Sequence, residues 1–278
     1  MIRVRYCVLL LLATIGLALP PSRADAVVVT RLKNGEDLKV AAIGTSLTKS
    51  ASAVWFDTQL PNWLNTLGPG KVTMLNNGIA GSASSYGPGA TGQPASSSGL
   101  YYQLPTTLAQ HPDVVFIEFG MNDANVANDL DVTTSKSNLK SMIDQVLASS
   151  PRTEVVVQTM NNCLPGSEHD QDRPELAAYY QGYRDVISTY YAGNSRVVLV
   201  DNYPSWVNLY QTNPTQWNSY IPDGIHPWAN DGTAAITIPN IQAALLAQAT
   251  PEPGALTLLG WGLAAGLLTY AWRRHKAT

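Results

Sequence analysis

Residues 113–123 read Asp-Val-Val-Phe-Ile-Glu-Phe-Gly-Met-Asn-Asp, and this stretch indicates the fold class. We predict a strand over residues 113–119, because the apolar residues there are consecutive rather than alternating, which is typical of a strand that is covered on both faces. Similar short runs rich in Val, Ile or Leu occupy residues 38–43, 71–75, 154–159 and 196–200. The sequence therefore predicts five buried strands.

Longer segments with helical periodicity separate these strands. Residues 137–148 carry Leu139, Met142, Ile143 and Val146 at helical spacing, and residues 174–191 and 230–248 have comparable patterns. Strands that alternate with helices are typical of an α/β fold with a parallel sheet. We expect a three-layer α/β/α sandwich around a central, mostly parallel five-stranded sheet. Residues 82–99 are rich in Gly, Ser and Pro, lack both periods and predict a long loop.

The N-terminus is typical of a secretory signal peptide. Arg3 and Arg5 precede an apolar run over residues 6–19, and Ala24-Asp25-Ala26 fits a small-residue cleavage site. We expect processing after about Ala26, which leaves residues 27–250 as one domain. A buried first helix is the alternative interpretation.

The C-terminus carries a second localisation pattern. Pro251-Glu252-Pro253 precedes an uncharged stretch over residues 254–272, and Arg273, Arg274 and Lys276 follow it. The stretch is long enough to cross a bilayer, and its basic flank predicts that this end stays in the cytoplasm and the body outside. Residues 251–276 resemble the PEP-CTERM sorting signal of Gram-negative bacteria. That resemblance implies export to the cell envelope or medium and processing by a membrane sorting protease, and a plain membrane anchor is the alternative.

Charge and cysteine content exclude several classes of function. The formal net charge is −3, and removing residues 1–26 and 251–278, each of net charge +2, leaves −7 for the body. An acidic body without a basic cluster is a poor candidate for binding nucleic acid. Cys163 is the only cysteine of the body, and His111, His169 and His226 lie far apart, so neither a disulfide nor a metal motif is expected. We expect no cofactor.

Polar residues follow several of the predicted strands, at the edge of the sheet where ligands of α/β proteins bind. Ser46 follows the first strand and is expected at a strand-to-helix turn, Gly81 lies after the second, and Asn122 follows the third. Each has an ordinary alternative as a helix cap or turn residue. Asp223 and His226 are three residues apart, a spacing that lets the carboxylate reach the imidazole nitrogen not used in catalysis.

Taken in chain order, these blocks resemble the SGNH (GDSL-like) hydrolases, which have a flavodoxin-like fold. The resemblance covers residues 38–248 and implies that Ser46, Asp223 and His226 are catalytic. It also implies that Ser46, Gly81 and Asn122 form the oxyanion hole. Thr45 stands where the family pattern Gly-Asp-Ser has its acid, which affects the hydrogen bonding expected around the nucleophile.

The resemblance implies a serine esterase that acts on carboxylic esters through an acyl-enzyme intermediate. Aromatic rings can stack on sugars, which favours an acylated carbohydrate as substrate. The body tryptophans that could do so are Trp55, Trp63, Trp206, Trp217 and Trp228, although core packing explains most of them equally well. A lipase-like or lysophospholipase-like enzyme and a non-catalytic extracellular binding module remain alternatives.

Overall fold

The computed structural model describes residues 27–49, 54–90, 95–227 and 231–249. The five strands of its sheet are β1 (Leu38–Gly44), β2 (Val72–Asn76), β3 (Val114–Glu118), β4 (Glu154–Gln158) and β5 (Val197–Val200). They lie in the order β2-β1-β3-β4-β5, and all four pairings are parallel. The predicted fold class is confirmed, and each predicted strand end lies within one residue of the observed one.

Helices connect the strands. They are α1 (Val28–Lys33), α2 (Leu60–Leu64), α3 (Leu104–Leu108), α4 (Gly120–Asp123), α5 (Val132–Ser149), α6 (Glu168–Gln171), α7 (Leu176–Tyr190), α8 (Tyr203–Thr212), α9 (Pro214–Tyr220) and α10 (Ile238–Ala249). Short 3₁₀ turns lie at Ala95–Ser97 and Val126–Asn128. The helix predicted over residues 137–148 begins earlier, at Val132, because the Asp131 carboxylate accepts a hydrogen bond from the Thr134 N–H (2.9 Å) and caps it.

Three of these helices begin with a π-helical turn. The turns Trp55–Gln59, Gly99–Gln103 and Thr233–Thr237 run directly into α2, α3 and α10. Each of the three helices has a proline as its second residue. Proline has no N–H and its ring clashes with the carbonyl four residues earlier, so a wider turn lets the helix continue through it.

The sheet separates two apolar layers, which explains the continuous apolar runs of the strands. Val114 and Phe116 pack with α1, α2 and α10 on one face, whereas Val115 and Ile117 pack with α3, α5 and α7 on the other. Successive side chains of a strand point to opposite faces, so a strand buried on both sides needs apolar residues at every position.

The amino end of the sheet is held by buried Arg31 of α1. Its side chain is 4% exposed and forms ion pairs with Asp113, just before β3 (2.5 Å), and with Glu36 (3.2 Å). This cluster lies at the end of the sheet opposite the polar residues that follow the strands. Arg31 is therefore a buried arginine that two carboxylates neutralise.

The expected loop over residues 82–99 has no strand in its described part and contains the short 3₁₀ turn at Ala95–Ser97. Although polar, the loop is packed into the protein, and Ser82 and Ser84 are fully buried. The expected signal peptide and sorting signal lie outside the described residues. Within the described ranges, no helix has the length and apolar character needed to span a membrane.

Candidate active site

Three side chains form a continuous chain of hydrogen bonds at the carboxyl edge of the sheet. The Ser46 hydroxyl lies 2.8 Å from His226 Nε2, and His226 Nδ1 lies 2.7 Å from Asp223 Oδ2. An ionised carboxylate only accepts hydrogen bonds, so Nδ1 carries the proton and Nε2 is left to accept from the serine. The structure thus brings together Ser46 and His226, 180 residues apart in the chain.

The segment from Asp223 to His226 is a tight turn that fixes the imidazole. Asp223 Oδ1 accepts hydrogen bonds from the backbone N–H groups of Ile225 (3.1 Å) and His226 (2.8 Å). Gly224 has φ +82°, a left-handed conformation that a side chain would strain. Burial opposes ionisation of Asp223, but the backbone and side-chain hydrogen bonds from His226 outweigh it and hold the pKa of this carboxyl below its usual value.

Ser46 lies in a single turn after β1. The Thr45 carbonyl accepts from the N–H groups of Thr48 and Lys49 (both 3.1 Å), and Thr45 Oγ1 accepts from the Leu47 N–H (3.1 Å). Ser46 lies in the turn after β1, as expected, and the next helical turn among the described residues is Trp55–Gln59; residues 50–53 lie outside the described ranges. The bond from the Leu47 N–H to the Thr45 hydroxyl is a local side-chain contact that stabilises the turn.

Thr45 connects this turn to Glu118, a buried carboxyl at the end of β3. Thr45 Oγ1 donates to Glu118 Oε2 at 2.8 Å, and Gly44 pairs in register with Glu118 in the sheet. Burial raises the pKa of Glu118 to about 7, although the hydrogen bonds from Thr45 oppose this. Thr45, which stands where the family pattern has an acid, thus hydrogen-bonds a carboxyl of the neighbouring strand β3.

A small cavity with both polar and apolar walls lies beside this carboxyl. It has about 30 Å³ of room for water and is lined by Glu118, Gln158, Asn161 and Pro227, among others. Glu118 Oε1 has no hydrogen-bond partner among the described residues. The space suffices for about one or two water molecules, which such buried polar atoms commonly bind.

Of the two remaining predicted residues, Gly81 lies in a loop and Asn122 in the short helix α4. Gly81 is exposed with φ +79°, and a Cβ there would meet no atom within 4 Å. The adjacent Ser82 hydroxyl donates to the Gly44 carbonyl (2.9 Å), which connects this loop to the end of β1. Asn122, in α4, is buried, and its Nδ2 donates to the Ser82 carbonyl at 2.9 Å. Hydrogen bonds through Ser82, the neighbour of Gly81, thus connect Asn122 to Gly44 at the end of β1, close in sequence to Ser46.

Sequence reasoning missed Arg173, which is 6% exposed and contacts this network. Its guanidinium donates to the backbone carbonyls of Met121 (2.9 Å) and His169 (3.1 Å) and to Asn122 Oδ1 (3.3 Å). Arg173 follows an acidic stretch in the sequence, where an arginine is usually a solvated ion-pair partner. Only the fold reveals that it is buried against Asn122.

The described tryptophans do not form a sugar-stacking surface. Trp55, Trp206 and Trp217 are buried and Trp63 packs against the core. Trp228 lies outside the described residues. Cys163 is buried, which raises the pKa of its thiol to about 12 and disfavours the reactive thiolate. The described residues contain no cluster of three or more His, Cys, Asp or Glu side chains that could hold a metal ion.

Comparisons with known proteins agree with this fold. The family model described as GDSL-like Lipase/Acylhydrolase matches residues 42–230. A lipase/acylhydrolase from Enterococcus faecalis has 20% identity and a TM-score of 0.56, over 74% of this chain and 96% of that chain. TesA has 21% identity and a TM-score of 0.51, over 76% and 99%. A catalytic mutant of Axe2, an acetylxylan esterase from Geobacillus stearothermophilus, has 17% identity and a TM-score of 0.50, over 77% and 96%. No curated protein matches the sequence significantly.

Proposed function

The chain belongs to the GDSL-like lipase/acylhydrolase family, and from this premise we propose that it is an exported serine hydrolase that cleaves carboxylic esters. The observation that carries the proposal is the hydrogen-bonded chain from Ser46 through His226 to Asp223. A serine, an imidazole and a carboxylate in this order are the components needed to activate a hydroxyl as a nucleophile.

In the first half-reaction, the Ser46 hydroxyl attacks the ester carbonyl while His226 Nε2 accepts its proton. Asp223 keeps the proton on Nδ1 in place and stabilises the imidazolium that forms. His226 then donates its proton to the leaving alcohol as the tetrahedral intermediate collapses to an acyl-enzyme. In the second half-reaction, water attacks the acyl group with His226 as base and releases the acid.

The negative charge of each tetrahedral intermediate needs preorganised donors. We assign this role to the backbone N–H groups of Ser46 and Gly81 and to the Asn122 side-chain amide. The left-handed backbone of Gly81 and the network that holds Asn122 support this assignment. None of these steps requires a metal or a cofactor.

We infer a short acyl group on a carbohydrate as the preferred substrate class. The structural neighbour described as an acetylxylan esterase supports this inference. The described tryptophans do not support it, because they pack in the core and not on a surface where a sugar could stack. Longer acyl esters, as cleaved by lipases or lysophospholipases, are the alternative. A series of p-nitrophenyl esters of increasing chain length, with acetylated xylo-oligosaccharides beside it, separates the two: kcat/KM that rises with chain length contradicts our inference.

The location of the enzyme is a further part of the proposal. The basic, apolar and small-residue pattern of residues 1–26 supports export, and residues 251–276 support recognition by a membrane sorting protease. Mass spectrometry of the protein from a Gram-negative host should find cleavage after about Ala26. An intact N-terminus in the mature protein contradicts export by this route.

The catalytic assignment is tested by replacing the nucleophile. Ser46→Ala should abolish hydrolysis of p-nitrophenyl acetate and labelling by a fluorophosphonate probe, with little change in thermal stability. Ser219→Ala, on an exposed serine of α9, is the matched control and should keep both. Asn122→Ala should lower kcat by roughly 100- to 1000-fold, as loss of an oxyanion donor does.

The competing candidate is a non-catalytic binding or matrix module. A folded wild-type protein that neither hydrolyses these esters nor reacts with the probe would establish that candidate instead. Activity retained by Ser46→Ala would refute the assigned nucleophile.

A further inference from the structure

Arg173 is a buried cation without an ion-pair partner among the described residues. Its three hydrogen bonds all reach neutral oxygens, namely the Met121 and His169 carbonyls and Asn122 Oδ1. Burial lowers the pKa of Arg173, and the negative charge of nearby Asp172, which forms no direct ion pair with it, opposes that shift. A guanidinium remains charged at neutral pH. Burying an unpaired charge is costly, so this position requires a physical explanation.

The contacts of Asn122 provide that explanation. Its Oδ1 accepts from Arg173 Nη2 (3.3 Å), and its Nδ2 donates to the Ser82 carbonyl (2.9 Å). A flipped amide would place an NH₂ group against the guanidinium and an oxygen against the Ser82 carbonyl, so the network permits one orientation. The Ser82 carbonyl accepts one of the two amide hydrogens, and no further acceptor of Nδ2 is found among the described residues.

We propose that Arg173 is a positioning residue: it fixes the Asn122 amide so that its second N–H points to the oxyanion, and its positive charge polarises that amide. This inference rests on the proposed esterase function and goes beyond it. A cation hydrogen-bonded to the amide oxygen withdraws electron density from the amide and makes its N–H a stronger donor. Preorganised donors of this kind stabilise the transition state without a cost of reorientation.

Arg173→Met removes the charge and the donors while keeping an unbranched side chain. We expect kcat for p-nitrophenyl acetate to fall by on the order of 10- to 100-fold with KM within about 2-fold, since the contact matters when the oxyanion forms. Arg173→Lys keeps the charge but cannot reach three oxygens at once, so its kcat should fall by at least about 5-fold.

Two further variants separate positioning from a general structural role. Arg31→Met is the matched control, because Arg31 is also buried but lies at the amino end of the sheet. It should lower thermal stability and leave kcat unchanged. In the Asn122→Ala background, Arg173→Met should have no further effect on kcat, since the amide through which it acts is gone.

The outcomes are distinguishable from failure of the proposed function. An inactive wild type or an active Ser46→Ala would overturn the function and this inference together. If the wild type is active and Ser46→Ala is inactive, two results would overturn this inference without affecting the proposed function. One is a wild-type kcat in folded Arg173→Met. The other is a fold-loss of kcat from Arg173→Met that is as large in the Asn122→Ala background as in the wild type. If Arg173→Met does not fold, Arg173→Lys decides, and a wild-type kcat there is equally contradictory.

Discussion

Glu118 should make the stability of this protein depend on pH, and Glu118→Gln should remove that contribution. The contributions of Asp123 and Glu154, whose pKa values burial raises to about 6 and about 8, remain in both proteins and cancel in the comparison. The Glu118 carboxyl has a pKa of about 7 in the fold against 4.5 in the unfolded chain, because burial disfavours its charged form. Below pH 4.5 the group is neutral in both states and contributes no penalty. Between pH 4.5 and 7 only the unfolded chain loses the proton, so the free energy of unfolding falls as the pH rises.

The magnitude follows from the two pKa values. The difference between 4.5 and about 7, at about 1.4 kcal/mol for each tenfold change in proton affinity, corresponds to roughly 3 kcal/mol above pH 7. Glutamine keeps an acceptor for the Thr45 hydroxyl and places its NH₂ group where Oε1 has no partner. The variant should therefore resemble the wild type at pH 4.5 and be more stable by roughly 3 kcal/mol at pH 8.

Urea unfolding at pH 4.5, 6, 7 and 8 measures this difference. Glu168→Gln, which removes a negative charge from an exposed side chain, is the matched control and should change stability little at any of these pH values. A constant offset between Glu118→Gln and the wild type across the range would refute the reasoning, since only a pH-dependent gain reports the titration of a buried carboxyl.

Two further predictions concern the turn that carries the imidazole. Asp223→Asn should lower kcat by on the order of 10⁴-fold with little loss of stability, because an amide no longer enforces the tautomer with the proton on Nδ1. Steady-state kinetics measures the loss of kcat, and a thermal unfolding curve measures stability. A loss of kcat under about tenfold would argue against the triad. Gly224→Ala should destabilise the protein by about 1–2 kcal/mol, because φ is +82° there and the new Cβ would lie 3.2 Å from Leu164 Cβ. It should also reduce kcat, because the same turn holds the imidazole. Unchanged activity would indicate that the turn tolerates displacement.

The sheet was predictable from sequence because both of its faces are buried. A strand such as β3 then needs apolar residues at every position, and such runs are visible without any knowledge of their partners. The helix bounds were less accurate, since caps such as Asp131 extend α5 before its apolar periodicity begins. The π-helical turns carry no such pattern and depend on proline at the second position of the helix that follows.

For the candidate site, the sequence indicated the residue types but not the groups that hold them. Asp223 and His226 form a local pattern three residues apart, whereas Ser46 is indicated only by the resemblance of the blocks taken in chain order. Arg173 contacts Asn122 across 51 residues, and Thr45 contacts Glu118 across 73. No local pattern distinguishes these partners from a solvated arginine and a strand-end glutamate, so their roles depend on the packing of the whole fold.

The span between Ser46 and His226 has a consequence for biosynthesis. The nucleophile and its base are 180 residues apart, and the base follows all five strands of the sheet in the chain. Contacts over such separations form late, because the entropy of closing the intervening chain must first be offset by packing. A nascent chain that has not yet reached His226 therefore has a serine without its base. Ester hydrolysis would accordingly report that the whole domain has emerged and folded.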